Sequence, residues 1–263
     1  MNIEPLHPMS TDSRPASSAP ASAPVSTVPL FEAYAPAQVA ARVRDVGVAK
    51  ARSPVATTLA LAVMAGAFIA LGALFYAVTM TGVGGELPFG PSRVLGGVAF
   101  SLGLILVVVA GAELFTSNNL MAMAWASGQL SLGEVVRNWV WVYLGNLLGA
   151  LGMVVLALAA DVQALGNGAV GTTFVNIARA KVMLHPVAMV GRGILCNVLV
   201  CLAVWLCLAA RTVTDKILAI LFPISAFVAC GFEHSIANMF FLPMGLALDA
   251  THDPILSLGG ALM

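Results

Sequence analysis

Five apolar stretches, each long enough to cross a lipid bilayer, limit this chain's fold more than any other feature. They run from about Val55 to Met80, Val94 to Ala126, Val136 to Ala160, Val187 to Ala210 and Ile217 to Leu248. A helix rises about 1.5 Å per residue, so about 20 apolar residues cover the roughly 30 Å hydrocarbon core. Of the 263 residues 60% are hydrophobic and 9% charged, whereas soluble domains carry about 25% charged residues. So few charges cannot coat a water-soluble body of this size. The sequence therefore predicts an all-α, polytopic membrane protein. A formal net charge of zero gives no sign of a nucleic-acid partner.

The flanks divide the chain further. Residues 1–35 are rich in Ser, Ala and Pro and lack the basic start and unbroken apolar run of a cleaved signal peptide. They read as a disordered cytoplasmic tail. Residues 36–53 set Val39, Val43, Val46 and Val48 among Arg42, Arg44, Lys50 and Arg52, which predicts an amphipathic helix on the membrane surface. The transmembrane domain occupies 54–248. With the amino terminus inside, Arg42, Arg44, Lys50, Arg52, Arg137, Arg211 and Lys216 are cytoplasmic, and Arg93, Arg179, Lys181 and Arg192 lie outside. Basic residues favour the cytoplasmic side, so the reading is N-inside. Cys196, Cys201, Cys207 and Cys230 sit in apolar runs without CxxC spacing or a nearby His, so no metal or other cofactor is expected.

Two of the five stretches are interrupted, and the interruptions match. One reads Gly111-Ala112-Glu113 before Leu114-Phe115-Thr116-Ser117-Asn118-Asn119; the other reads Gly231-Phe232-Glu233 before His234-Ser235-Ile236-Ala237-Asn238. Each is Gly-x-Glu with an Asn five residues after the Glu, and the two lie 120 residues apart. Because they fall in the second and fifth spans, they run in opposite directions. That is the pattern of an inverted repeat of three-helix units, with two broken helices meeting near the bilayer midplane. Irregular backbone at that depth is tolerated only inside protein or along a wet path. Restarted helices also present free N–H groups and a positive dipole end, which suits an anion.

The polar residues at the breaks then divide by chemistry. Glu113 and Glu233 are costly in a membrane and need partners. Lining an anion path would be a poor use of them, so they are expected to anchor the breaks by bonds to nearby backbone N–H groups. Ser117, Asn118 and Asn238 are assigned the same supporting role, although Ser and Asn in spans also simply link helices. His234 is the one His inside a predicted span, and imidazole exchanges protons near neutral pH.

At these residues the sequence resembles the formate/nitrite transporter family. The matching stretches are Pro88-Phe89-Gly90, Phe100 to Ile105, Gly111 to Ser117, Gly145 to Ala150, Asn197 to Trp205 and Gly231 to Phe240. The resemblance implies an aquaporin-like protomer in a homopentamer of the bacterial inner membrane, each protomer holding its own pore. It implies that Leu114, Phe115 and Thr116 form a flexible gating loop beside the central pore histidine, His234. Phe100, Leu104 and Phe115 would make one apolar constriction, and Val200 and Phe227 another. Asn197 would lie near the pore, and Lys181 would draw anions into the outer vestibule. The implied partners are a small monovalent anion, with formate the first reading, and a proton shared with His234.

Nitrite, hydrosulfide or lactate carried by the same route is the alternative cargo. A neutral-solute channel and a membrane enzyme are alternatives of other classes, the enzyme lacking any visible nucleophile–base set. The chain also departs from the family's six spans. After Met244 the last apolar stretch, Ile255 to Met263, is too short to cross. Residues 249–263 are therefore expected to form an external loop, with the sixth span missing and a non-functional truncated product as a further alternative.

Overall fold

In lipid a segment must satisfy its own backbone groups, so the apolar runs have to become helices. A computed structural model describes residues 33–83 and 87–249, and these contain helices and turns but no strand. The expected tail over 1–35 and the expected external loop over 249–263 fall outside the described residues, apart from 33–35 and 249.

In chain order the helices are α1 (Pro36–Ala51), α2 (Val55–Met80), α3 (Phe89–Ala110), α4 (Phe115–Asn118), α5 (Ala122–Ala126), α6 (Leu132–Ala159), α7 (Ala169–Val182), α8 (Pro186–Ala209), α9 (Val213–Ala229) and α10 (Ser235–Leu248). Among them α2, α3, α6 and α8 are each long and apolar enough to cross a membrane. The second expected span is α3 continued by the Phe115–Ala126 segment, in which a 3₁₀ turn at Asn119–Met121 joins α4 to α5. The fifth is α9 continued by α10. Both broken spans therefore fall where the Gly-x-Glu motifs put them.

Two elements add to the sequence reading. Helix α7 occupies a stretch read as outer loop. It has 14 residues, too few to span, and buries Val170, Phe174 and Ala178 at four-residue intervals, mainly against α10. Helix α1 buries Val39, Val43, Gly47 and Ala51 against α5, its neighbouring 3₁₀ turn and α8. Val46 stays exposed. The apolar stripe of α1 thus faces protein along much of its length.

Small residues set the closest helix pairs. A Cβ on Gly66 of α2 would fall on the carbonyl of Asn146 in α6, and one on Gly149 of α6 would fall on the carbonyl of Val63. Such reciprocal approach is how helices associate in lipid, where dispersion at short range replaces the hydrophobic effect. Helix α2 packs extensively on both α3 and α6 and brings Ala62, Ala65, Ala70, Ala73 and Ala77 into the core. Serine and threonine caps fix the starts of α6 and α9. Ser131 Oγ accepts the Glu134 amide at 3.3 Å, and Thr212 Oγ1 accepts the Asp215 amide at 3.1 Å.

Candidate functional site

Each broken span ends its first half on a glycine. Gly111 has φ 74° and Gly231 has φ 72°, the left-handed conformation that stops a helix and favours a residue without a Cβ. The next amide then reaches back over the last turn: Ala112 N–H to Val107 O at 2.9 Å, and Phe232 N–H to Phe227 O at 3.0 Å. The same local chemistry has closed both half-helices.

The glutamate after each glycine has lysine and asparagine side chains as its carboxylate partners. Glu113 Oε2 accepts from Lys50 Nζ at 3.1 Å and Asn118 Nδ2 at 2.6 Å. Glu233 Oε2 accepts from Lys181 Nζ at 2.7 Å and Asn238 Nδ2 at 3.0 Å. This corrects the expected bonding to backbone N–H groups, because a buried carboxylate is better neutralised by an ammonium than by amides alone. It also explains the Glu-to-Asn spacing, since the asparagine sits one turn into the restarted helix. Both lysines are the penultimate residues of short helices that precede a span: Lys50 of α1 and Lys181 of α7. The repeated unit therefore includes the short helix as well as the spans.

At the first break the polar network continues inward. Asn118 Oδ1 accepts from Lys50 Nζ at 2.8 Å, and Asn118 Nδ2 also donates to Asn138 Oδ1 at 2.9 Å. Trp139 Nε1 donates to Asn118 O at 3.0 Å. Asn146, fully buried in α6, accepts the Phe115 amide at 2.9 Å and donates to Glu113 O at 2.9 Å and Ala62 O at 2.8 Å. Asn146 thereby pins the irregular stretch from both sides. It stood in a family-like stretch of the sequence, but only the fold shows what it holds.

At the second break His234 is buried and caps α10. Its Nδ1 accepts the Ala237 amide at 3.1 Å, so a neutral ring carries its hydrogen on Nε2. Nε2 lies 3.2 Å from Thr116 Oγ1. The restarted halves of the two broken spans are thus joined by an imidazole–hydroxyl pair. Phe227 stacks on the ring at 5.8 Å with an interplanar angle of 18°, and Phe100 stands edge-on to both His234 and Phe227 at 6.2 and 5.6 Å.

Two cavities reach His234, and one of them also reaches Thr116. One, of about 230 Å³, is lined by Phe100, Phe227, Arg93, Lys181, Arg192, Glu233 and His234 among others. The other, of about 470 Å³, is lined by Phe115, Thr116, Asn119, Asn197, Glu233 and His234 with apolar parts of α8. Glu233 and His234 border both. In the second cavity Asn119 Nδ2 donates to Asn197 Oδ1 at 3.0 Å, which ties α8 to the segment after the first break.

The remaining expected residues fall as follows. Leu104, Leu114 and Val200 are buried in the main core. Ser117 Oγ donates to Leu114 O at 2.9 Å, a bond within its own turn. Phe115 does not share a ring cluster with Phe100. It packs on Tyr143 at 5.1 Å and Trp139 at 6.2 Å, because Asn146 holds its backbone against α6. Arg93 was missed as a site residue. Its Nη2 donates to Val228 O at 2.6 Å, its Nε to Ala229 O at 3.4 Å and its Nη1 to Tyr76 Oη at 3.2 Å. It so places a cation on the open carbonyl end of α9. Among the described residues no group of His, Cys, Asp and Glu is arranged to hold a metal ion.

Comparison with known proteins gives the geometry a context. The family model for formate/nitrite transporters matches residues 37–262. The formate channel FocA of Escherichia coli K12 is 44% identical over 218 residues, covering 83% of this chain and 76% of that protein. A probable formate transporter of Methanothermobacter thermautotrophicus is 37% identical over 228 residues, covering 81% and 83%. Among solved structures, a pentameric formate channel with formate bound superposes with a TM-score of 0.75 at 38% identity, covering 80% of this chain and 87% of that one. An ion channel of the same family superposes with a TM-score of 0.76 at 28% identity, covering 86% and 88%.

Proposed function

This chain belongs to the formate/nitrite transporter family, and from that premise we propose that it carries formate across the bacterial inner membrane, with its amino terminus in the cytoplasm, as a homopentamer with one path per protomer. The observation that carries this reading is the position of His234. It borders both cavities, bonds to Thr116 across the two broken spans, and stands against Phe100 and Phe227.

The chemistry follows from that position. A formate anion enters the cavity of Arg93, Lys181 and Arg192 and meets the two phenylalanine rings. A bare charge is costly to desolvate there. A proton given by His234 turns the anion into neutral formic acid, which passes the rings and returns the proton to the neutral His234 ring from the second cavity, which that ring also borders. The proton must first be taken up on the ring. The nitrogen that can accept it is Nδ1, which holds the Ala237 amide, so charging the ring costs the cap of α10, about 1 kcal/mol by the usual worth of such bonds. The Thr116 hydroxyl accepts from Nε2 and keeps its own hydrogen for the anion in the second cavity. Asn119 and Asn197 line that exit without a fixed cation, which favours release. Glu113 and Glu233, each neutralised by a lysine, hold the two breaks open around the path.

The test is uptake by the purified protein in proteoliposomes, with formate, nitrite, lactate, hydrosulfide and glycerol offered in turn. Saturable formate uptake that excludes glycerol is expected. Uptake of glycerol without formate would replace this reading by a neutral-solute channel, and faster nitrite than formate would change the cargo but not the route.

A further inference from the structure

The cavity on the Phe100–Phe227 side of His234 holds three cations against one carboxylate: Arg93, Lys181 and Arg192 against Glu233. The cavity on the other side is lined by Glu233 alone among charged groups. The three cations are not equivalent. Lys181 is bonded to Glu233 at 2.7 Å, and both side chains are mostly buried, at 16% and 11% exposure. Seen from a distance, that pair contributes a dipole and little net charge. Arg93 is spread over the Val228 and Ala229 carbonyls and the Tyr76 hydroxyl, so its donors are largely committed to the carbonyl end of α9.

Arg192 differs from both. It lies on an exposed position of α8, and its one hydrogen bond among the described residues is a long one, Nη1 to Gly231 O at 3.4 Å. A guanidinium has five N–H donors and stays charged at any working pH. Most of its donors are therefore open, and no carboxylate among the described residues is paired with it. Its backbone is held in place, since Arg192 O accepts the Glu233 amide at 3.4 Å. The free cation thus stands one residue-contact away from the break that carries His234.

We infer that Arg192 is the anion-recruiting residue of this cavity, supplying the long-range field that Lys181, neutralised by Glu233, does not, and that recruitment is consequently one-sided. This rests on the proposal that the protein carries a small anion. Field lines focused in a low-dielectric mouth raise local anion concentration and entry rates by about 10-fold or more, and the effect falls with ionic strength. A carbonyl-bound structural arginine would show no such salt dependence.

The experiment is initial formate uptake into proteoliposomes, at formate well below saturation, by the parent, Arg192→Gln and Arg192→Lys proteins at low and high ionic strength. At about 20 mM salt, Arg192→Gln should slow uptake by about 3- to 10-fold, and the gap should narrow to under about 2-fold near 0.5 M as screening removes the field. Arg192→Lys should recover most of the rate, because recruitment needs charge rather than a planar fork. The salt effect should appear when salt is changed on the Arg192 side and not on the other. Equal slowing at all salt concentrations, or no rescue by lysine, would overturn the inference and leave formate transport standing. A parent protein that carries no small anion overturns both. A matching oligomer peak in detergent for all three proteins shows that folding is not the cause.

Discussion

The two helix breaks share a frame and differ in what fills it. Both end the first half-helix on a left-handed glycine, bond the following glutamate to a lysine and an asparagine, and restart on an extended residue. That residue is Leu114 in one half (φ −107°, ψ 127°) and His234 in the other (φ −102°, ψ 112°). The leucine is sealed in the core and its neighbours are pinned by Asn146, while the histidine faces two cavities and caps α10 through its own ring. Scaffold is what the repeat copies. Gly, Glu and Asn recur in both copies, whereas the residues between them differ, and at the restart position one copy has a sealed leucine and the other a histidine that borders two cavities.

The comparison can be broken most forcefully at the ion pairs. Glu233→Ala strands Lys181, which has no other hydrogen-bond acceptor among the described residues, and should cost about 3–5 kcal/mol. Glu113→Ala should cost less, because Lys50 keeps Asn118 Oδ1 at 2.8 Å. Thermal unfolding of the two variants in the same detergent reads the difference, and equal losses would mean that the second network adds nothing at the first break.

Asn146→Ala comes next in size. It removes the partner of one amide and two carbonyls, at about 2–3 kcal/mol for the buried groups left unpaired. Hydrogen exchange should quicken over 113–118 and stay as it is over 231–238. Quickening at both would show that the breaks share one support.

Gly66→Ala, which drives a Cβ into the Asn146 carbonyl, should cost about 1–3 kcal/mol by separating α2 from α6. Smallest is Thr116→Val, at about 0.5–1.5 kcal/mol for one hydrogen bond. Its formate uptake should nonetheless fall, since the hydroxyl serves the path; unchanged uptake would confine Thr116 to a structural role.

Much of this asymmetry can be read from the chain. The apolar runs announce the spans, and Gly-x-Glu with its trailing Asn announces both breaks, because a polar cluster inside an apolar run has few physical explanations. His234 stands out for the same reason. Other features depend on contacts across the sequence. Lys50 and Lys181 look like surface cations until the fold brings them 63 and 52 residues along the chain to their glutamates. Helix α7 falls below span length, and its apolar face repeats only three times. Asn146 is one polar residue in a glycine-rich helix face, and nothing local says that it reaches a loop 31 residues away. The contacts of Phe115 with Tyr143 and Trp139 were hidden for a similar reason, since a backbone bond to another helix sets the ring's direction.

The central claim is that the imidazole at the second break exchanges a proton with the passing anion. His234→Asn tests it with little damage, because an asparagine oxygen can still accept the Ala237 amide and cap α10. Formate uptake into proteoliposomes is measured for both proteins across pH 5 to 8. The account predicts a pH-dependent rate in the parent that flattens or shifts in the variant. An identical pH profile in the two proteins would contradict it.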